Sequence, residues 1–348
     1  MEEWSVVHKV SILGFLGAAL FGATASKTHF CIMGSISDWI NMGSRVRFRA
    51  WVLSIGIAIL GAQGMHHLGW LDLGGSIYLG ANFGLAGFLI GGVLFGMGMT
   101  LGAGCGQRTL VRVGGGNLKS LLVLIVMAIT AYASLRGLLA IVRIEVFDAL
   151  AIDLGARDIA DQGIGTLLAH FTDTSAATVS RIVALVLGPG AVWYAFKDRD
   201  FRASYDNLLA GTVIGLLVVG AWYVTGVIGN DDFEPVMIEA ITFVAPTGNT
   251  LNYFMTWTGS EINFGIAVVL GMIVGLVELQ CAVVGELSDL GDAFGNLDQS
   301  YQTSSVTSSK STYGFKAATY GASYNDQQDE CDCNAIIVCA TNKGEKDI

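Results

Sequence analysis

Long apolar runs, interrupted by glycine and followed by short turns that carry arginine, dominate the first 280 residues. About 20 apolar residues in a helix cross the hydrocarbon core of a bilayer, so these runs are candidate membrane spans. Two of them, 50–65 and 181–196, are short for a full crossing, which is typical of re-entrant or discontinuous helices. The pattern predicts an all-α polytopic membrane protein with seven apolar segments, roughly 10–30, 50–65, 83–103, 118–142, 181–196, 207–228 and 262–280.

The composition supports this class. Hydrophobic residues make up 53% of the chain and charged residues 14%, with 46 glycines, 3 prolines and a mean hydropathy of +0.58, which excludes a typical soluble domain. The net charge of −10 arises in a few loops and the C-terminal region, so no nucleic-acid partner is expected. Met1-Glu2-Glu3 lacks the basic start of a secretory signal, so the first apolar run is predicted to be a retained span.

Lysine and arginine are distributed unevenly among the loops. The loops 66–82 and 229–258 contain neither residue, whereas the alternate loops are basic. Because basic loops stay in the cytoplasm, the N-terminus is predicted outside and residue 281 onward inside. The loop 143–180 mixes both signs and is predicted to hold an interfacial amphipathic helix on the outer face. The basic residues of the three cytoplasmic loops are Arg45, Arg47, Arg49, Arg108, Arg112, Lys119, Lys197, Arg199 and Arg202.

The chain divides by character near residue 285. Within 1–285 the sequence Asn-Phe-Gly-x-Ala at 82–86 recurs at 263–267, each time opening an apolar segment, as in the inverted repeats of transporters. After about Glu278 the apolar runs disappear, and 286–348 is rich in Ser, Thr, Asp, Asn and Gln. We expect 286–348 to be a polar cytoplasmic tail that is disordered or derived from a frameshift.

Six cysteines fit neither a disulfide framework nor a zinc site. Cys331 and Cys333 lack a second pair of ligands, so no metal is expected. Cys31 lies where the first apolar run breaks, before Gly34. It is either a small buried hydrophobe or part of a ligand path. His29, two residues before Cys31, is predicted to be either an interfacial histidine or part of a proton relay. Asp38 is predicted to cap a helix or to pair with the nearby arginines.

The sequence around Cys105 indicates a ligand site more specifically than the sequence around Cys31 does. It lies between Gly102, Gly104 and Gly106, which allow the backbone to approach a ligand closely or to adopt positive φ. A helix end exposed at such a break presents unpaired N–H groups, a natural site for an anion. The alternative is a glycine-mediated helix crossing, which does not require the cysteine or the polar Gln107 that follows.

Together these segments resemble the YeeE/YedE family of sulfur-compound transporters, whose known activity is thiosulfate uptake through the bacterial inner membrane. The resemblance covers roughly residues 10–280. It rests on Ser-x-x-x-Phe-Cys-x-x-Gly at 26–34, Arg-x-Arg-x-Arg-Ala at 45–50, Gly-Ala-Gly-Cys-Gly-x-Arg-Thr-Leu-Val-Arg at 102–112, Gly-Asn-Leu-Lys-Ser-Leu at 116–121 and Thr-Gly-Ser-x-x-Asn-Phe-Gly at 258–265.

The resemblance implies an inverted-repeat helical transporter whose short broken central helices bring cysteines onto the conduction path. Thiosulfate would pass between thiols through weak S–H···S contacts and helix-dipole attraction. A third family cysteine lies in a Gly-Cys-Thr segment that this chain lacks, so the second repeat is expected to be incomplete and Cys281 receives no role. The residues expected to line the path are Cys31, Cys105, Gly34, Gly102, Gly104, Gly106, Gln107 and Arg108.

The sequence therefore predicts a multi-pass protein of the bilayer that takes up thiosulfate or a related small sulfur anion, with no cofactor and no catalytic residue. A cytoplasmic sulfur-carrier protein is a further candidate partner. Two rival interpretations stay open. The chain could be a non-transporting degenerate homologue or a membrane scaffold for sulfur-handling partners. An intramembrane sulfur-transfer enzyme would need a cofactor for which the sequence holds no motif.

Overall fold

A computed structural model describes residues 5–172, 174–231, 233–256, 258 and 260–275, together with short strands between 301 and 324. The chain divides into two units, residues 1–279 and 280–348. The described part is nearly all helical, which confirms the predicted fold class of a polytopic helical membrane protein.

In the described part of the first unit, α-helices follow one another, with longer connections before α4, α8 and α12. They are α1 (Val6–Thr28), α2 (Ile32–Met42), α3 (Val46–His67), α4 (Leu85–Leu101), α5 (Gly106–Gly114), α6 (Leu118–Arg136), α7 (Leu138–Val142), α8 (Ile164–Thr172), α9 (Ala176–Phe196), α10 (Arg199–Ala203), α11 (Tyr205–Tyr223), α12 (Val244–Thr256) and α13 (Phe264–Val274). Two strands, β1 (Asn82–Phe83) and β2 (Ile152–Asp153), pair antiparallel.

Each of the seven predicted apolar segments contains a helix. Among the described residues, six helical stretches are long and apolar enough to cross a membrane, and α13 is a shorter apolar helix. From the sequence, the segments 50–65 and 181–196 were predicted to be shorter than a full membrane crossing. The structure gives α3 22 residues and α9 21, because polar residues near their ends remain helical. The stretches are Val6–Met42, Val46–His67, Leu85–Gly114, Leu118–Arg136, Ala176–Phe196 and Tyr205–Ile228.

The breaks in the long spans occur at the two cysteine motifs. Within two residues of their ends, helices α1 and α4 are each followed by a residue in the left-handed conformation, His29 and Ala103, both with φ of 53°. The next N–H then returns to the carbonyl five residues back, at 3.1 Å in the first break and 2.9 Å in the second. This closure ends a helix sharply and satisfies its last carbonyls. The chain therefore contains the same unit twice, a long helix, a break, a short helix and a returning helix.

Glycine allows helices α1 and α13 to lie almost backbone to backbone. A Cβ on Gly271 would lie 2.3 Å from the carbonyl oxygen of Phe15, and a Cβ on Gly275 would lie 2.2 Å from that of Ala19. Small residues at such crossings are typical of membrane helices, which gain from close van der Waals packing. This contact places α13 against the helix that leads into the first break.

The prediction that residues 229–258 form only a loop is wrong. Helix α12 occupies residues 244–256 and packs along α6, where a Cβ on Gly248 would lie 3.1 Å from the Tyr132 nitrogen. Its Thr and Asn content hides it from a search for apolar runs. Pro246 lies in its first turn, where proline fits a helix because that turn has free N–H positions.

The loop 143–180 contains the short helix α8, which packs on α9, and β2. Its position on the outer face stays a prediction. In the second unit, β3 (Tyr301–Gln302) pairs with β6 (Ser323–Tyr324), and β4 (Val306–Ser308) pairs with β5 (Ala317–Thr319), both antiparallel. The disorder or frameshift origin predicted for 286–348 remains a prediction. Four of the cysteines lie outside the described residues: Cys281, Cys331, Cys333 and Cys339.

Candidate functional site

Cys31 and Cys105 occupy the same structural position in the two repeated units. Each is the N-cap of a short helix, Cys31 of α2 and Cys105 of α5, with extended backbone just after the break. Both are free cysteines, 2% and 7% exposed. The first N–H groups of a helix have no partner within it, and the helix dipole places partial positive charge there. Both thiols therefore lie at positively polarised helix ends.

The two breaks meet, so the thiols are neighbours. The Cys31 and Cys105 side chains lie within the range of a side-chain hydrogen bond to each other. Each thiol also faces the backbone N–H three residues on, at Gly34 and Arg108, without the geometry of a full capping bond. A pair of polarizable sulfur atoms thus lies between two helix N-termini. This arrangement suits a soft anion better than a cation.

Hydrogen bonds hold the two breaks in place. Gln107, 3% exposed, donates from Nε2 to the carbonyl oxygen of Phe30 at 3.1 Å and so ties the second break to the first. The carbonyls of the two left-handed residues are also satisfied. Arg112 donates to Ala103 at 2.9 Å, and Arg47 donates to His29. These three bonds pair the carbonyls of Phe30, Ala103 and His29, which restricts the movement of both breaks.

Arg108 supplies a formal positive charge beside the thiols. Its guanidinium interacts with the Cys31 thiol both electrostatically and through a side-chain hydrogen bond. Within the described ranges it forms no ion pair with a carboxylate. In contrast, Arg47 pairs with Asp38 at 2.9 Å, which is one of the two roles predicted for Asp38 from the sequence. The charge of Arg108 is thus left available to a ligand.

The predicted glycines have different roles. A Cβ on Gly34 would lie 2.8 Å from Nη2 of Arg47, so the guanidinium packs directly on this glycine. A Cβ on Gly102 or Gly104 would meet atoms at 3.2 and 3.3 Å, and one on Gly106 only at 3.5 Å. The glycines around Cys105 were predicted to allow either a close approach of the backbone to a ligand or positive φ. In the structure positive φ occurs at Ala103 instead, while the glycines supply close packing.

The site includes residues that the sequence analysis missed. The N-terminus of α12 reaches the cysteine breaks, where the Phe243 Cβ would lie 3.5 Å from a Cβ on Gly106. The Phe243 ring also packs edge-on against Phe21, with ring centroids 5.6 Å apart. Pro246 is the residue in the sequence that could have indicated this third helix N-terminus. No cluster of metal-ligating side chains occurs within the part of the chain that the structure describes.

Comparison with known proteins decides the family. A family profile described as sulphur transport matches residues 27–277, which is more than half of the chain and includes both cysteine breaks. The chain belongs to the sulphur transport family. It is also 22% identical, over 289 residues, to the thiosulfate transporter TsuA of Escherichia coli (strain K12), covering 75% of this chain and 72% of that protein. The family resemblance predicted from the motifs is confirmed.

Membership of the sulphur transport family supports transport of sulfur compounds by a multi-pass, non-enzymatic membrane protein. The matched region begins near the end of α1 and extends just beyond the end of α13. It thus contains every described residue that the sequence analysis assigned to the path.

Proposed function

We propose that this protein takes up thiosulfate, or a related small sulfur-containing anion, across the bacterial inner membrane along a path that passes between Cys31 and Cys105. The single observation that carries the proposal is the juxtaposition of the two motif cysteines at the N-termini of α2 and α5. The similarity to TsuA, a thiosulfate transporter, favours thiosulfate among the sulfur anions.

The chemistry of the pair suits a soft anion that must move on. A thiol is a weak hydrogen-bond donor and a polarizable contact for the terminal sulfur of thiosulfate. Two helix N-termini and the Arg108 guanidinium lower the cost of removing the anion from water. Because the donors are weak and several, the anion can be bound without being trapped, as conduction requires. No covalent bond to sulfur is needed.

The remaining path residues shape the route. Gly34, Gly102, Gly104 and Gly106 keep side chains away from the two breaks, and Gln107 fixes the breaks to each other. The distribution of basic residues among the loops supports an N-terminus outside and arginine-bearing turns in the cytoplasm. A cytoplasmic sulfur-carrier protein is the candidate acceptor for the released anion.

The proposal is tested by uptake of labelled thiosulfate into a strain that lacks its own thiosulfate transporters. The full chain should restore uptake, and both Cys31→Ala and Cys105→Ala should abolish it while membrane abundance stays unchanged. Alanine keeps the small volume and removes only the sulfur. Cys281→Ala, a cysteine with no proposed role, is the matched control and should transport normally.

Normal uptake by Cys105→Ala would mean that this cysteine only fills space. Absence of uptake by the wild-type chain, at normal abundance, would favour the non-transporting homologue or scaffold instead.

A further inference from the structure

A polar cavity opens beside the cysteine pair, on the side of the protein that carries the arginine-bearing turns. Its volume is about 290 Å³. The polar side chains that line it are Ser26, His29, Arg108, Arg112 and Asn117, and the rest of the lining is apolar or backbone. The distribution of lysine and arginine among the loops predicts a cytoplasmic location for this side. The cavity was not anticipated from the sequence motifs.

The lining carries uncompensated positive charge. It includes two guanidinium groups and one imidazole, and no aspartate or glutamate belongs to it. Asp38 and Asp198, which also lie near basic turns, are occupied by Arg47 at 2.9 Å and Arg49 at 3.4 Å. Within the described ranges, neither Arg108 nor Arg112 forms an ion pair. Such a cavity attracts anions and repels cations.

The cavity is connected to the cysteine pair through shared residues. Arg108 lines the cavity and also interacts with the Cys31 thiol. Arg112 lines it and donates to the Ala103 carbonyl, two residues before Cys105. The Arg108 guanidinium is therefore common to the cysteine pair and the cavity.

The size suits a small hydrated anion. At about 30 Å³ per water molecule, the cavity holds roughly ten waters. A small sulfur oxyanion therefore fits there with part of its hydration shell. Guanidinium groups bind oxyanions through two parallel N–H···O bonds, which gives Arg108 and Arg112 a direct role in recognition.

We propose that this cavity is a second anion site, which holds a small sulfur oxyanion between the cysteine pair and release on the cytoplasmic side. The inference rests on the proposed function for the direction of transport but not for the binding itself. Arg108 belongs to both sites and passes the anion from one to the other. Arg112, His29 and Asn117 belong to the cavity alone.

Equilibrium binding of labelled thiosulfate to the purified full-length protein in detergent, at constant ionic strength, tests the proposal. Arg112→Gln should weaken binding about tenfold or more, the effect of losing a charged contact of about 1.4 kcal/mol. Arg112→Lys keeps the charge and should recover part of the affinity. Lys119→Gln makes the same change of charge at an exposed position outside the cavity and should bind like the wild type.

A second variant covers the case in which Arg112→Gln fails to accumulate. His29→Asn removes the imidazole while tolerating the left-handed backbone at this position, and it should weaken binding severalfold. Wild-type affinity in both Arg112→Gln and His29→Asn would overturn the proposal, as would an equal loss in Lys119→Gln.

The same assay separates this site from the transport path. Cys105→Ala should still bind thiosulfate in the cavity although it should not transport it. If wild-type uptake is absent but Arg112-dependent binding persists, the proposed function fails and the cavity site stands. If uptake is normal and the purified protein binds no thiosulfate, the cavity proposal is wrong and the proposed function stands.

Discussion

The side-chain amide of Gln107 donates to the carbonyl of Phe30 across 3.1 Å, in a buried contact between residues 77 positions apart. This bond joins the two cysteine-bearing breaks. Its donor lies in the first turn of α5 and its acceptor immediately precedes Cys31. The spacing of the two thiols therefore depends on Gln107 as well as on the breaks themselves.

Gln107→Leu should separate the two breaks. It leaves the buried Phe30 carbonyl without its partner, at a cost of about 1–3 kcal/mol in the free energy of unfolding, and it should reduce thiosulfate uptake strongly. Thermal unfolding in detergent and uptake at matched abundance measure the two effects. Gln162→Leu removes an exposed bond to the Tyr78 carbonyl, far along the sequence from either break, and should change neither quantity appreciably.

Gly34→Ala should damage the first break through Arg47. The new Cβ would lie 2.8 Å from Nη2, so the guanidinium must shift, which disturbs its bonds to Asp38 and to the His29 carbonyl. We expect lower stability and little uptake. Gly17→Ala is the matched control, because a Cβ there meets nothing within 4 Å and alanine favours a helix by about 1 kcal/mol over glycine. Equal losses in the two variants would contradict this account of Gly34.

Glu239, in the segment before α12, should make stability depend on pH. Burial raises its pKa from 4.5 to about 7. The Tyr78 phenol lies beside it, and Thr225 donates to its backbone carbonyl at 2.8 Å. Since the folded protein retains a proton that the unfolded chain releases, the stabilising contribution is full below pH 4.5 and is lost as the pH rises through about 7.

Glu239→Gln should remove this dependence and stabilise the protein above pH 7, by up to about 3 kcal/mol. Thermal unfolding at pH 5 and pH 8 provides the comparison. Glu234→Gln changes an exposed carboxylate of the same loop and should keep the wild-type difference between the two pH values. A difference that persists in Glu239→Gln would show that another group is responsible.

Reporter fusions test the membrane orientation. Fusions at positions 75 and 240 should report an outside location, and fusions at 45, 112 and 200 a cytoplasmic one. The reason is that the loops containing 45, 112 and 200 carry nine lysine and arginine residues, whereas the loops 66–82 and 229–258 carry none. A fusion at 112 that reports outside would invert the proposed direction of the path and the side of the cavity.

The sequence predicted the parts of the site that depend on local pattern. Apolar runs located every long span, and glycine next to Cys105 marked the second break. However, the left-handed conformation occurs at Ala103, a residue with a Cβ, and not at the glycines on either side of it. The position of the helix end determines which residue must adopt this conformation. Local composition indicates that a break exists but not which residue makes it.

The contacts between distant residues could not be predicted from the sequence. Nothing in the local pattern shows that Gln107 reaches Phe30 or that Phe243 reaches Gly106, since both contacts follow from how the helices pack. Helix α12 was missed because it lacks a long apolar run. The anion cavity was missed for a related reason, since its lining combines the end of α1 with α5 and the turn after it.

Protection of the two thiols from alkylation tests the central claim most directly. The rate of modification of each cysteine by a small thiol reagent is measured by mass spectrometry, in membranes, with and without thiosulfate and with chloride at equal ionic strength as control. The account predicts that thiosulfate slows the modification of both Cys31 and Cys105 and leaves that of Cys281 unchanged. Modification of Cys31 and Cys105 at the same rate with and without thiosulfate, in a protein that transports it, would contradict a path between these thiols.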